Sequence, residues 1–239
     1  PVSMIAYICL LKVMKHHNKI PIRNQSAILG KREHRYMIYY ECGDGLYVNL
    51  TNRCPVLCVF CPKEEWDYDF KGQDLGLDKG EPSIEELRSG LTDWMSKPKK
   101  YEQLVFCGFG EPTMRLAELT ELAAFARRNW PGLALRLNTV GLGDLIAGHD
   151  IVPELKGSMD MVSVSLNTLD AARWLTMHRP ASKYREKGFE AVKSFIERAV
   201  KSGLRTRVTG VEGAGADLAA VEEYARRIGA EFLARPPLT

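Results

Sequence analysis

The chain has 239 residues, of which 45% are apolar and 26% charged, with 33 basic and 30 acidic side chains. This is the make-up of an ordinary globular protein long enough for one domain with a sizeable core. No stretch approaches the roughly 18 apolar residues of a membrane span; the nearest, residues 2–14, is interrupted by Lys12 and lacks a small-residue cleavage site, so a cytoplasmic protein is expected.

Residues 1–36 carry seven Lys/Arg against Glu33 alone, which leaves 26 bases and 29 acids, about −3, in the remainder. The basicity belongs to this segment, and that argues against a nucleic-acid-binding body. With no sustained periodicity, 1–36 reads as a basic extension, either flexible or lying upstream of a native start at Met37. Residues 37–239 form the expected core domain. Its first feature is a Cys-Gly-Asp-Gly turn followed by a strand, LYVNLT (46–51).

Further strand-like runs follow at QLVFCGF (103–109), ALRLNTV (134–140), MDMVSVSLN (159–167), LRTRVTGV (204–211) and AEFLAR (230–235). Helical spacing fills the gaps. One helix starts at a capping box, Ser83 with Glu86, and runs IEELRSGLTDWM. A second is LAELTELAAFARRNW, and a third lies near 143–156. A fourth, KGFEAVKSFIERAVKS, ends at Gly203; a fifth, LAAVEEYARRI, is bounded by Asp217 and Gly229. Six strands alternating with five helices predict an α/β fold with parallel strands, either a doubly wound sheet or a partial barrel. In both, chemistry gathers at the C-terminal strand ends.

The first strand leads into Cys54, Cys58 and Cys61, spaced C-x3-C-x2-C. Three thiolates from one loop suit an iron–sulfur cubane that keeps one iron open to a small molecule. A zinc site is the alternative, but it needs a fourth ligand, and His149 and His178 come without a companion. The second strand ends Cys107-Gly108-Phe109-Gly110-Glu111-Pro112. Glycine permits close backbone approach to a ligand and a carboxylate suits an ammonium group, although the same residues also make a plain strand-to-helix turn. Cys107 itself reads as a small core residue. Arg205, Arg207 and Arg235 lie on the last two strands and would bind a carboxylate or phosphate if they project into a barrel mouth; a surface ion pair is the other reading. The acidic, aromatic stretch 62–82 is a candidate lid or a solvated connection.

The motif C-x3-C-x-Φ-C after the first strand, with Phe60 in the aromatic position, resembles the signature of the radical S-adenosylmethionine (SAM) enzymes. GFGEP resembles that family's G-G-E-P motif with Phe109 inserted. The resemblance implies an open, partial (β/α)6 TIM-like barrel over 37–239. It also implies a [4Fe–4S] cluster on Cys54, Cys58 and Cys61, and SAM on the open iron, reductively cleaved to a 5′-deoxyadenosyl radical that abstracts hydrogen from an unidentified substrate. It further implies SAM contacts from Phe60, Gly108, Gly110, Glu111, Asn138 and Ser165, the last two by hydrogen bonds from strand ends, where simple loop capping is the other reading. A flavodoxin- or ferredoxin-type electron donor is implied as a partner. The runs LYVNLTNRCP…CVFC and VFCGFGEPTMR look most like the TatD-associated members, which implies a TatD-type metal-dependent hydrolase as a second partner.

Overall fold

Alternation along the strands decides the architecture. In the computed structural model, which describes residues 37–78, 80–213 and 215–237, strand β1 (Tyr39–Cys42) turns into β2 (Gly45–Val48). A small hairpin, β3 (Asp69–Phe70) with β4 (Gln73–Asp74), precedes helix α1 (Ile84–Met95) and strand β5 (Gln103–Phe106). A 3-10 turn at Pro112–Arg115 and α2 (Leu116–Asn129) lead to β6 (Ala134–Thr139). Two short helices, α3 (Gly143–Ala147) and α4 (Val152–Ser158), reach β7 (Met161–Ser165). Helices α5 (Ala171–His178) and α6 (Gly188–Lys201) reach β8 (Arg205–Val211); α7 (Leu218–Ile228) and β9 (Glu231–Arg235) close the chain.

Seven strands form one sheet in the order β1-β2-β5-β6-β7-β8-β9, and every pair after β1·β2 is parallel. The six parallel strands run strictly in sequence order. A doubly wound sheet reverses its order at a switch point; a barrel does not. Because β1 and β9 do not pair, the structure is the expected partial TIM-like barrel. On β6 to β8, Leu135, Leu137, Val162, Val164 and Val208 are buried. The alternate residues, Arg136, Asn138, Ser163, Ser165 and Arg207, line a cavity on the opposite, concave face. Each strand thus splits into an apolar side for the core and a polar side for a ligand.

The capping box of α1 forms as the sequence predicts, and Gly229 ends α7 at φ 81°. Four expectations are corrected. The segment before the first turn is itself a strand, paired antiparallel to β2 through Gly43 (φ 58°). The predicted strand 46–51 stops at Val48, where the chain leaves the sheet to form the cysteine loop. The helix near 143–156 is two helices, broken at Gly148 in the left-handed conformation. Helix α5, capped by Asp170, has no counterpart among the predicted elements. The reading of 1–36 lies outside the described residues, and the described residues fall within one compact unit.

Candidate functional site

Cys54, Cys58 and Cys61 come from the irregular loop that follows β2. Backbone hydrogen bonds fasten this loop to the end of α5: Leu57 N–H donates to the His178 carbonyl (3.0 Å), Val59 to Met177 (2.9 Å), and Ala181 to Pro55 (2.9 Å). The three thiols are free and line a cavity of ≈ 830 Å³ at the C-terminal ends of the strands. Burial raises Cys54 to about 12, with Glu111 adding and Lys63 opposing; burial and the other two thiols raise Cys58 further. Among the described residues, no three His, Cys, Asp or Glu side chains converge tightly enough to hold a single metal ion. A soft, three-sulfur set spread around one cavity fits a cubane, whose irons are themselves spread, better than tetrahedral zinc.

His178, the last residue of α5, is fully buried behind this loop. Its ring stacks on Trp174 (centroids 5.0 Å apart) and meets Phe60 edge-on at 5.5 Å. The Asn167 carboxamide fixes the tautomer. Asn167 Oδ1 accepts from the Val211 N–H (2.8 Å), so Nδ2 is the atom that donates to His178 Nε2 at 3.0 Å. The proton therefore sits on Nδ1, 3.5 Å from Cys58 Sγ. Burial holds His178 down at about 4, with the Leu166 carbonyl acting against this and Arg235 with it, so the ring is neutral. Sequence reasoning passed over His178 because it looked for a ligand and did not predict α5. The signal was Asp170 as N-cap before Trp174, Met177 and His178 at helical spacing.

Glu111 is 1% exposed. Its Oε1 accepts from Thr113 N–H (3.1 Å), Thr113 Oγ1 (2.7 Å) and Thr139 Oγ1 (2.8 Å), and Oε2 accepts from Val140 N–H (2.8 Å). Burial raises its pKa against these four donors. The carboxylate thus ties the end of β5 to the end of β6 and keeps one acceptor site on Oε2. Gly108 and Gly110 are required by the chain itself: a Cβ would sit 2.1 Å from Asn49 Oδ1 and 2.1 Å from the Thr51 carbonyl, respectively. Close approach here is of the GFGEP loop to the cysteine loop. Both glycines, with Phe60, Glu111, Asn138 and Ser165, line the same cavity as the cysteines. Ser165 Oγ accepts from Asn167 Nδ2 (2.9 Å) and Arg235 Nη2 (3.4 Å).

The stretch 62–82 is folded onto the rim. Phe109, the residue inserted between the two glycines, meets Trp66 and Tyr68 edge-on at 6.4 and 6.0 Å. With Tyr40, Phe70 and Leu75 it forms a second, small apolar cluster. Asn49 and Asn52 donate to the Leu75 carbonyl (2.8 and 3.1 Å), which ties the hairpin to the segment leading from β2 into the cysteine loop. Of the arginines, Arg205 and Arg207 pair with Glu231 (2.5 and 2.7 Å), and Arg205 points out to solvent. Arg207 and Arg235 reach the cavity. Cys107, just past the end of β5, is a small residue in the wall of the same cavity.

The comparisons with known proteins agree with this arrangement. A family model described as the radical SAM superfamily matches residues 48–228. The GTP 3′,8-cyclase of Corynebacterium glutamicum (strain R) is 30% identical over 238 residues, covering 94% of this chain and 56% of the cyclase. The Fe-coproporphyrin III synthase of Methanosarcina barkeri is 32% identical over 120 residues, 50% of this chain and 26% of the synthase. The chain thus spans about half, or less, of the length of these relatives. A radical SAM methyltransferase structure from Sphaerobacter thermophilus superposes with a TM-score of 0.54 at 13% identity, over 83% of this chain and 68% of that one, and supports the fold. With the three-cysteine loop and GFGEP meeting at one cavity on a partial barrel, and the family model spanning both, the chain belongs to the radical SAM superfamily.

Proposed function

We propose that the chain is a radical SAM enzyme that holds a [4Fe–4S] cluster through Cys54, Cys58 and Cys61 and binds SAM beside it. The observation that carries this reading is the shared cavity: three thiols on one wall and the GFGEP loop on the next. When bound, the cluster and SAM supply reductive cleavage to a 5′-deoxyadenosyl radical, which takes a hydrogen atom from substrate. The chain's residues bind and orient. His178 holds a proton at Nδ1 toward Cys58 Sγ and stabilises that sulfur as a thiolate. Lys63, 8% exposed and beside the thiols, opposes their accumulated negative charge. Phe60 offers its ring to the adenine, and the free acceptor site on Glu111 Oε2 suits the SAM ammonium. Asn138 and Ser165 offer hydrogen bonds from the floor, with Gly108 and Gly110 keeping the loop close. The hairpin held by Phe109 shields the mouth from water.

We place the chain among the TatD-associated members on the runs quoted above, in the cytoplasm, with a flavodoxin- or ferredoxin-type donor and a TatD-type hydrolase as partners. Among the described residues no helix is long and apolar enough to cross a membrane. Anaerobic reconstitution should give about four irons per chain, and dithionite with SAM should then release 5′-deoxyadenosine. Cys58→Ala should lose both. A full cluster without SAM cleavage would identify a non-catalytic electron-transfer or sensing protein instead, and colourless stoichiometric zinc would identify a structural site.

A further inference from the structure

The concave face of the sheet carries three arginines, and they are not in the same electrostatic state. Arg207 is neutralised by Glu231. Arg136 donates from Nη2 to Tyr47 Oη (3.0 Å), and Arg235 from Nη2 to Ser165 Oγ (3.4 Å). Those acceptors are uncharged, and the Nε atoms of both arginines are buried without a partner. Among the described residues, no carboxylate lies within ion-pair distance of either guanidinium. Both arginines line the same cavity, Arg136 reaching toward β2 and Arg235 toward β7, and Cys107 lies in its wall as well.

A guanidinium presents five donors in a fixed fork. Both residues are half-buried, with Nε shielded and the rest of the fork facing the cavity, so an anion there would complete them. The acids in the cavity wall do not serve: Glu111 is engaged by four donors of its own chain, and Glu64 and Glu65 are exposed. Asn138 and Ser163 add further polar groups to the same cavity. Planar forks facing a cavity fit a carboxylate or a phosphate, bidentately where the geometry allows.

We infer that Arg136 and Arg235, facing one cavity without a carboxylate partner, bind the anionic group of the substrate, a carboxylate or phosphate. This deepens the radical SAM reading and rests on it. SAM has a carboxylate of its own, so the test must separate the two sources.

The reconstituted protein, saturated with SAM, would be titrated with orthophosphate and separately with succinate at constant ionic strength, following the thermal midpoint. At least one anion should raise it. Arg136→Gln and Arg235→Gln should each weaken that response by about tenfold or more, whereas Arg205→Gln, on the exposed pair with Glu231, should leave it intact. Arg136→Lys and Arg235→Lys keep the charge and guard against simple loss of folding; an intermediate response is expected from them. Three results would overturn the inference: no response to either anion, a response unchanged in the glutamine variants, or competition between the anion and SAM. If the chain fails to bind iron or cleave SAM before any anion is added, the underlying reading fails separately, and the same titration on the cluster-free protein still reports on the arginines.

Discussion

His178 is held by groups from four directions: Asn167 on Nε2, Cys58 on Nδ1, Trp174 on one ring face and the Phe60 edge. A hydrogen bond to a charged acceptor is worth about 1.5–3 kcal/mol. The acceptor here grows more negative when an attached cluster is reduced, so the N–H favours the reduced form. His178→Phe keeps the aromatic packing and removes the donor. The variant should retain its iron, but its midpoint potential should move negative. The reduced fraction at a fixed applied potential should fall roughly threefold to tenfold, corresponding to about 0.7–1.4 kcal/mol. A redox titration followed by electron paramagnetic resonance checks this; an unchanged potential would leave His178 as packing alone. Gly110 makes a second residue-level case. Gly110→Ala places a methyl against the Thr51 and Arg53 carbonyls. It should cost about 1–3 kcal/mol in denaturant-melt stability and loosen the cysteine loop.

At the level of elements, the β3–β4 hairpin shows how an insertion is used. Phe109 interrupts the family's pair of glycines and supplies the aromatic ring on which Trp66 and Tyr68 rest. Phe109→Ala removes one of the four buried residues of that small cluster, a truncation worth about 3–5 kcal/mol in a well-packed core, while the main core of the barrel is separate. The expected result is local: limited proteolysis should cut between residues 62 and 80 well below the global melting point, with the far-UV spectrum unchanged. Cooperative loss of the whole fold would show that the hairpin is integral to the barrel. The hairpin was not legible in the sequence because its strands are two residues each; its turn is Lys71-Gly72, both at positive φ, and the chain enters it through Asp67 and Tyr68, non-glycine residues also at positive φ. Helix α5 was hidden for a different reason. It has eight residues, and its inward side mixes Trp174 and Met177 with a histidine.

For the whole molecule, the burial of His178 couples the site to global stability. Its pKa is 6.5 in the unfolded chain and about 4 in the folded one. Between these values the unfolded state binds more protons, so stability falls as pH falls. The contribution is fully present above about pH 6.5 and is lost on descending to about pH 4. The shift corresponds to about 3 kcal/mol. Denaturant melts of the cluster-free protein should show this slope, and His178→Phe should flatten it over that window; parallel curves would mean the ring is solvated. The sequence by itself determined the parallel α/β alternation, the helix caps at Ser83, Asp217 and Gly229, and the three cysteines beside GFGEP. These are local patterns, written within a few residues of one another. Only the tertiary structure decided that the six parallel strands follow in order as a partial barrel, since periodicity does not encode strand neighbours. It also brought Asn167 and His178 behind Cys58, more than a hundred residues away in the chain. And it separated Arg207, paired with Glu231, from Arg136 and Arg235, which have no carboxylate partner among the described residues, because which acids a cation meets is decided by the strands the fold places beside it.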